Sequence, residues 1–193
     1  MTIRFENTLI PGTRMDKEEM GNVTGLAFLD KVFYVQDGIM LAQIREIAGI
    51  DGSTLQNWVK RGWAGSAINK KYSKDQLARI LIINMMRSTL QLEKIDDLLH
   101  EINGDLNTTE DDIIAESRLY DYACRVIDEA NDDHLITPEQ LRADILRITE
   151  DYQAVYPGAQ ERLHKALEVI VTVYASSLIA NHARNMLPIH TEA

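Results

Sequence analysis

Residues 38–72 read GIMLAQIREIAGIDGSTLQNWVKRGWAGSAINKKY, and their punctuation decides the fold. Ile39, Leu41, Ile44, Ile47 and Ala48 fall mainly on one face of a 3.6-residue period, and Gly49 stands where a helix would end. The turn GIDG follows. Ser53 or Thr54 is then placed to cap a second helix, with Leu55, Trp58 and Val59 pointing inward and Gln56, Asn57, Lys60 and Arg61 outward. Beyond it, Gly62 to Tyr72 forms a basic loop that delivers Lys70 and Lys71 next to an aromatic ring.

An exposed helix with two amides and two cations suits the edges of base pairs. Asn and Gln bond adenine in bidentate fashion, Arg and Lys bond guanine, and any cation also neutralises phosphate. A plain solvated helix followed by a surface loop has the same composition. Charge favours the first reading: from Ser53 to Leu90 seven basic residues face the single acid Asp75, in a chain whose net charge is −10. A basic island in an acidic chain is the electrostatic footprint of a nucleic-acid module joined to something else.

The run STLQNWVKRGW, a short loop, and then KKYSKDQLARILIINMMRSTLQLEKIDDLL resembles the DNA-binding head of the mercury-resistance (MerR) class of winged helix-turn-helix regulators. In that class a wing ending in a basic-x-Tyr element is followed by two helices. Lys70, Lys71 and Tyr72 match the end of the wing, and LEKIDDLL matches the second of those helices. From about residue 32 to 131 the chain is similar to a bacterial family of uncharacterised MerR-like proteins, presumed transcriptional regulators. It departs from the better-known regulators after Leu55, where Gln56, Asn57 and Trp58 replace an Arg and two Tyr. Metal sensing through a thiolate cluster is not implied, because Cys124 stands alone.

Working outward, residues 1–25 read as a loosely ordered arm, punctuated by Pro11, Gly12, Gly21 and Gly25, and LAFLDKVFYV as a short helix or extended segment packing on the head. After the wing, Ser73 and Gln76 form a capping box for DQLARILIINMMRS, whose apolar density makes it the central helix of the head. Leu92, Ile95, Leu98, Leu99 and Ile102 mark another amphipathic helix, closed by Asn103 and Gly104. The domain expected from these elements is 26–104.

Residues 105–193 read as an acidic helical domain, since from Gln91 onward 21 acidic residues outnumber 8 basic ones. Three helices are expected: one from Thr108 or Thr109 to about Ala130, one from Thr137 with Pro138 at its first position and Gln140 completing a capping box, and one from Ala159 to Met186 with Pro188 beyond it. The middle of the last, ALEVIVTVYASSLIA, is apolar on most sides. A second subunit or a central place in a monomeric bundle would cover it equally well.

Catalytic signals are weak. The histidines are scattered, and Glu161 with His164 makes one E-x-x-H where a carboxylate di-iron site requires two. Cys124 sits among apolar neighbours, as a packing residue would. The uncharged run from Val169 to His182 is shorter than the roughly 20 residues that span a bilayer. The lone cysteine fits a reducing cytoplasm, and no basic-then-apolar signal segment opens the sequence. The sequence therefore leads to a cytoplasmic, all-α, two-part protein: a dimeric, sequence-specific regulator of transcription that binds double-stranded DNA. It carries no catalytic residue, cofactor or metal. Its expected DNA contacts are Ser53, Thr54, Gln56, Asn57, Lys60, Arg61, Lys70, Lys71 and Tyr72, with Ser53 and Thr54 donating to phosphate at the helix N-terminus. An unknown effector could bind the C-terminal helices. The alternative is a protein-interaction module that keeps the helix-turn-helix as a scaffold.

Overall fold

The computed structural model describes residues 8–106, 108, 110–133 and 137–187, with no side-chain detail for 131–133. Among them the chain is mostly helical: α1 (Gly25–Val32), α2 (Leu41–Ala48), α3 (Gly52–Lys60), α4 (Lys74–Met86), α5 (Leu92–Asn103), α6 (Glu116–Asp133), α7 (Pro138–Ile148) and α8 (Ala159–Asn185). Two short strands, β1 (Ile39–Met40) and β2 (Lys71–Tyr72), pair antiparallel with Ile39 opposite Tyr72, which closes the stretch from 39 to 72 into one unit.

The centre is α4. Its capping box is formed as expected: Ser73 Oγ accepts from the Gln76 N–H, and Gln76 Oε1 accepts from the Ser73 N–H. Leu77, Ile80, Leu81, Ile82, Ile83 and Met86 are all buried, so this helix is apolar around its whole circumference and needs cover on every side. That cover comes from both halves of the sequence. α6 packs on α1 and α4, and α8 packs on α4, α5 and α7. Leu119, Tyr120, Ala123, Cys124 and Val126 of α6 are fully enclosed. The change in charge near residue 104 is therefore a change of surface, while a single core runs through both parts.

The segment expected to be loose is packed from residue 8 onward; residues 1–7 lie outside the described residues. Ile10 is completely buried, the Tyr120 hydroxyl donates to the Pro11 carbonyl at 2.7 Å, and the Arg14 N–H donates to the Ile47 carbonyl at 2.9 Å. Ile10 in the core, Met15, Met20 and Val23 packed against it, and bonds from Lys17 and Thr24 to Asp128 hold it, at spacings that show no periodicity. Gly12 makes the close approach possible: at φ 75° a Cβ there would lie 2.4 Å from the Leu81 carbonyl oxygen. Gly12→Ala is expected to cost about 2 kcal/mol or more in a chemical-denaturation measurement, since strained backbone and a rigid backbone clash act together.

α6 starts at Glu116 and not at Thr108 or Thr109, of which Thr109 lies outside the described residues. Ile113 and Ile114 are buried in the connection before it, and the Ile113 N–H donates to the Ile102 carbonyl, a bond that ties the segment to α5 instead of continuing α6 backward. α7 has the expected cap, with Thr137 Oγ1 accepting from the Gln140 N–H, but the Gln140 side chain turns to Asp144, so the box is half formed. α8 is long and apolar enough, by length and composition, to cross a membrane, contrary to the run-length estimate. Its stripe of Leu163, Leu167, Ile170, Val171 and Tyr174 is buried in the core, whereas Ile179, Met186 and Leu187 near its end are exposed.

Candidate nucleic-acid interface

α2 ends at Gly49, whose φ of 66° supplies the left-handed turn that the sequence called for. α3 follows after three residues, but its cap is neither Ser53 nor Thr54. Asp51 occupies the N-cap: Oδ1 accepts from the Thr54 N–H at 2.8 Å, the Ser53 hydroxyl donates to Oδ1, and the Thr54 hydroxyl donates to Oδ2 at 2.6 Å. These donors hold the Asp51 carboxyl well below the usual carboxylate range. Both hydroxyls are spent on a carboxylate, which itself repels an incoming anion. The phosphate role expected for Ser53 and Thr54 is therefore not supported by this geometry.

On α3, Leu55 and Trp58 are buried and Val59 is partly buried, while Gln56, Asn57 and Lys60 are exposed. Arg61 is exposed as well, but it lies over the Trp63 ring at 4.9 Å and within 3.6 Å of Glu93. Trp63 then turns the chain back, its N–H donating to the Trp58 carbonyl. Residues 68–71 form a tight reversal in which Ile68 and Lys71 exchange two backbone bonds at 2.9 Å. Asn69 and Lys70, the two residues between, have φ of 51° and 64°, as a type I′ hairpin turn requires. Gly is the usual second residue of such a turn. A lysine there is held in a left-handed conformation that its side chain disfavours, at the exposed tip of a hairpin.

Tyr72 does not join this surface. It is buried opposite Ile39, and burial pushes its hydroxyl pKa up, so its place is in the base of the hairpin.

The basic island is smaller in space than in sequence. Lys74 pairs with Asp30 at 2.5 Å, Arg87 lies over the buried Trp58 ring, and Arg79 is inside the protein. Arg79 donates from Nε to the Trp63 carbonyl at 2.8 Å, from Nη1 to Glu116 at 2.6 Å and from Nη2 to Asp96 at 3.3 Å. Lys60, Lys70 and Lys71 remain without a carboxylate partner among the described residues.

Two cations that sequence reasoning missed sit beside the α2–α3 turn. Arg14 runs along Gly49, where an added Cβ would come within 2.9 Å of its Cδ, and Arg45 reaches toward Gly52. Both are exposed and unpaired with any carboxylate among the described residues. Arg45 was legible from its place in the last turn before GIDG. Arg14 was not, because only the packing of residues 8–24 brings it there.

The remaining chemical candidates have structural surroundings. Cys124 is fully buried and burial pushes its thiol pKa up, which disfavours the reactive thiolate. His164 Nε2 lies 2.9 Å from the Thr149 hydroxyl, and Glu161 is exposed. Among the described residues no cluster of three or more His, Cys, Asp or Glu is arranged to hold a metal ion.

No solved structure matches the chain. The uncharacterized protein YkrK of Bacillus subtilis (strain 168) is 26% identical over 116 residues, covering 58% of this chain and 49% of that protein. The chain thus spans about half the length of this curated relative. A family described as a domain of unknown function, DUF1836, matches residues 25–123, from the first residue of α1 into α6, and so takes in the α2–α3 turn, the hairpin and the Arg79 contacts alike. The chain belongs to the DUF1836 family.

Proposed function

We propose that α2, α3 and the hairpin form a winged helix-turn-helix of the MerR kind, and that the protein is a cytoplasmic, dimeric transcriptional regulator that binds double-stranded DNA. The observation that carries this reading is the hairpin tip. Lys70 sits in a left-handed position that glycine would fill with less strain, beside Lys71 and in the same closed unit as the exposed Gln56, Asn57 and Lys60. Strain retained at an exposed cation points to a use for that cation.

In this reading α3 enters the major groove. Gln56 and Asn57 have the donor and acceptor pair that matches adenine, and Lys60 can bond guanine or a phosphate. Lys70 and Lys71 grip the backbone from the wing, while Arg14 and Arg45 replace Ser53 and Thr54 as the phosphate contacts beside the turn. The exposed Ile179, Met186 and Leu187 at the end of α8 offer a subunit contact. A two-fold dimer would place its α3 helices about 34 Å apart on a near-palindromic site.

The rival, a protein-interaction module on the same scaffold, is favoured by one observation: four of the seven cations in the basic segment are paired, stacked or buried, within a chain of net charge −10. Binding of a labelled random-sequence duplex across a salt series separates the two. Engagement of phosphate by Arg14, Arg45, Lys60, Lys70 and Lys71 predicts a log-log slope of about −4.5, from about −0.9 per phosphate neutralised. A flat, weak response down to low salt would favour the rival.

Asp51→Asn supplies a second test. Asparagine caps helices as well as aspartate does, so α3 should keep its start while a negative charge leaves the turn. Duplex affinity is expected to rise by roughly three-fold at low salt, an effect that salt diminishes. Unchanged or weakened binding would mean that this turn does not face DNA.

A further inference from the structure

A cleft of about 410 Å³ opens between residues 9–13, the C-terminal end of α4 and the second half of α8. That volume lies within the range of small-molecule sites, about 300–1,000 Å³. Gly12, Met85, Tyr174 and Ser177 are its buried residues, and Leu9, Met85 and Leu178 form one apolar patch in a lining whose other side chains are mostly polar. Its polar groups are amides and hydroxyls, and its one charged lining residue is Arg87. In a chain with 30 acidic residues, none of the described residues that line this cleft is acidic. An anion entering it meets Arg87 and no lining carboxylate among the described residues.

Arg87 is also the link to α3. Its guanidinium lies 5.7 Å from the centre of the Trp58 ring, and its Nε donates to Asn84 Oδ1 at 2.6 Å. Asn84 Nδ2 in turn donates to the carbonyls of Gly12 and of Ala48, both at 2.8 Å, which joins the cleft wall to the last turn of α2. Arg87 has no carboxylate within ion-pairing distance among the described residues. A carboxylate entering the cleft meets a planar guanidinium with both terminal nitrogens available for a bidentate bond. Drawing Arg87 toward it loosens the stacking on Trp58, the residue that seats α3 in the core.

We propose that this cleft binds a small organic carboxylate whose short apolar part meets the patch of Leu9, Met85 and Leu178, and that occupancy alters the placement of α3. The binding half stands on the cleft alone; the regulatory half rests on the DNA reading above. An inorganic anion leaves the patch of Leu9, Met85 and Leu178 uncovered, and an organic cation is repelled by Arg87.

The test is thermal unfolding of the full chain at matched ionic strength with hexanoate, benzoate, inorganic phosphate or hexylammonium. At about 20 mM, a carboxylate with millimolar affinity is expected to raise Tm by roughly 3 °C or more. Arg87→Gln should abolish the shift. Ser88→Glu, an exposed change that sets an anion at the mouth while leaving Arg87 on Trp58, should abolish it with Tm otherwise unaltered. No shift with either carboxylate, an equal shift with phosphate or hexylammonium, or a shift retained in both variants overturns the site. In duplex binding, hexanoate should change Kd by three-fold or more in the native protein and not in Ser88→Glu. A Tm shift with unaltered duplex affinity overturns the coupling. A Tm shift in a protein that binds no duplex leaves the cleft standing and overturns the DNA reading instead.

Discussion

Arg79→Met will lower stability by about 3–5 kcal/mol, because it removes one partner of a buried ion pair and leaves the other charge uncompensated. For a chain of this size that corresponds to a fall in Tm of about 10 °C or more. The partner left behind is Glu116, whose Oε1 accepts from Arg79 while Oε2 already has no hydrogen-bond partner among the described residues. Burial raises the Glu116 pKa, and the Arg79 charge opposes that rise. Without Arg79 the folded-state pKa climbs further. A raised folded pKa means that the linked stability is present below the ordinary glutamate value and is lost as pH rises through the folded one. The gap between native protein and variant should therefore be widest near neutral pH and narrow as pH falls into the carboxylate range. Glu116→Gln added to Arg79→Met should recover part of the loss at neutral pH. Urea unfolding near pH 7.5 and near pH 4.5 checks all three statements. A gap that stays constant with pH would mean that Glu116 is not the uncompensated group.

The same residue ties together the parts of the chain on either side of residue 104. Arg79 sends one donor to the Trp63 carbonyl at the start of the hairpin loop, one to α5 and one to α6. The loop that carries Lys70 is thus fastened to the acidic half. Loss of Arg79 is expected to loosen both.

Lys70→Ala with Lys71→Ala is the second large effect. If the two lysines grip phosphate as proposed, their loss should lower the salt slope by about 1.8 and weaken duplex binding by ten-fold or more at moderate salt, alike for all sequences. Asn57→Ala, in contrast, should change the ranking of sequences. Lys70→Gly separates strain from contact: it relieves the left-handed position, which costs about 1–3 kcal/mol for other residues, and removes the cation. Stability should rise as duplex affinity falls. If Lys70→Gly lost stability, the hairpin turn would not be strained in the way its φ of 64° implies.

What the sequence showed and what it concealed divide along the range of the interactions involved. α2, α3 and α4 were legible because a 3.6-residue period, Gly49 and the Ser73–Gln76 box are local signals that nothing distant overrides. The cap of α3 was misassigned within three residues, since Asp51, Ser53 and Thr54 are all capping types. The carboxylate takes the position because the two hydroxyls can donate to it. Arg79 and Lys74 counted as surface charge in the sequence, yet their acids, Glu116 and Asp30, lie 37 and 44 residues away. The packing of residues 8–24 rests on Ile10, Pro11 and Gly12 meeting α4 and α6, contacts that have no period to detect. Of the candidate interface, the exposed amides of α3 and the hairpin lysines were readable. Tyr72 was misread because its inward side is set by pairing with Ile39 across the sheet.

Selection of bound duplexes from a random DNA pool, at low and at moderate salt, with the intact protein and with the Lys70→Ala, Lys71→Ala variant, decides whether this protein reads DNA. A dimer inserting two copies of α3 predicts an enriched inverted repeat, its half-sites about one helical turn apart, with enrichment lost in the variant. No enriched sequence at either salt would contradict sequence-specific binding and turn the search to protein partners.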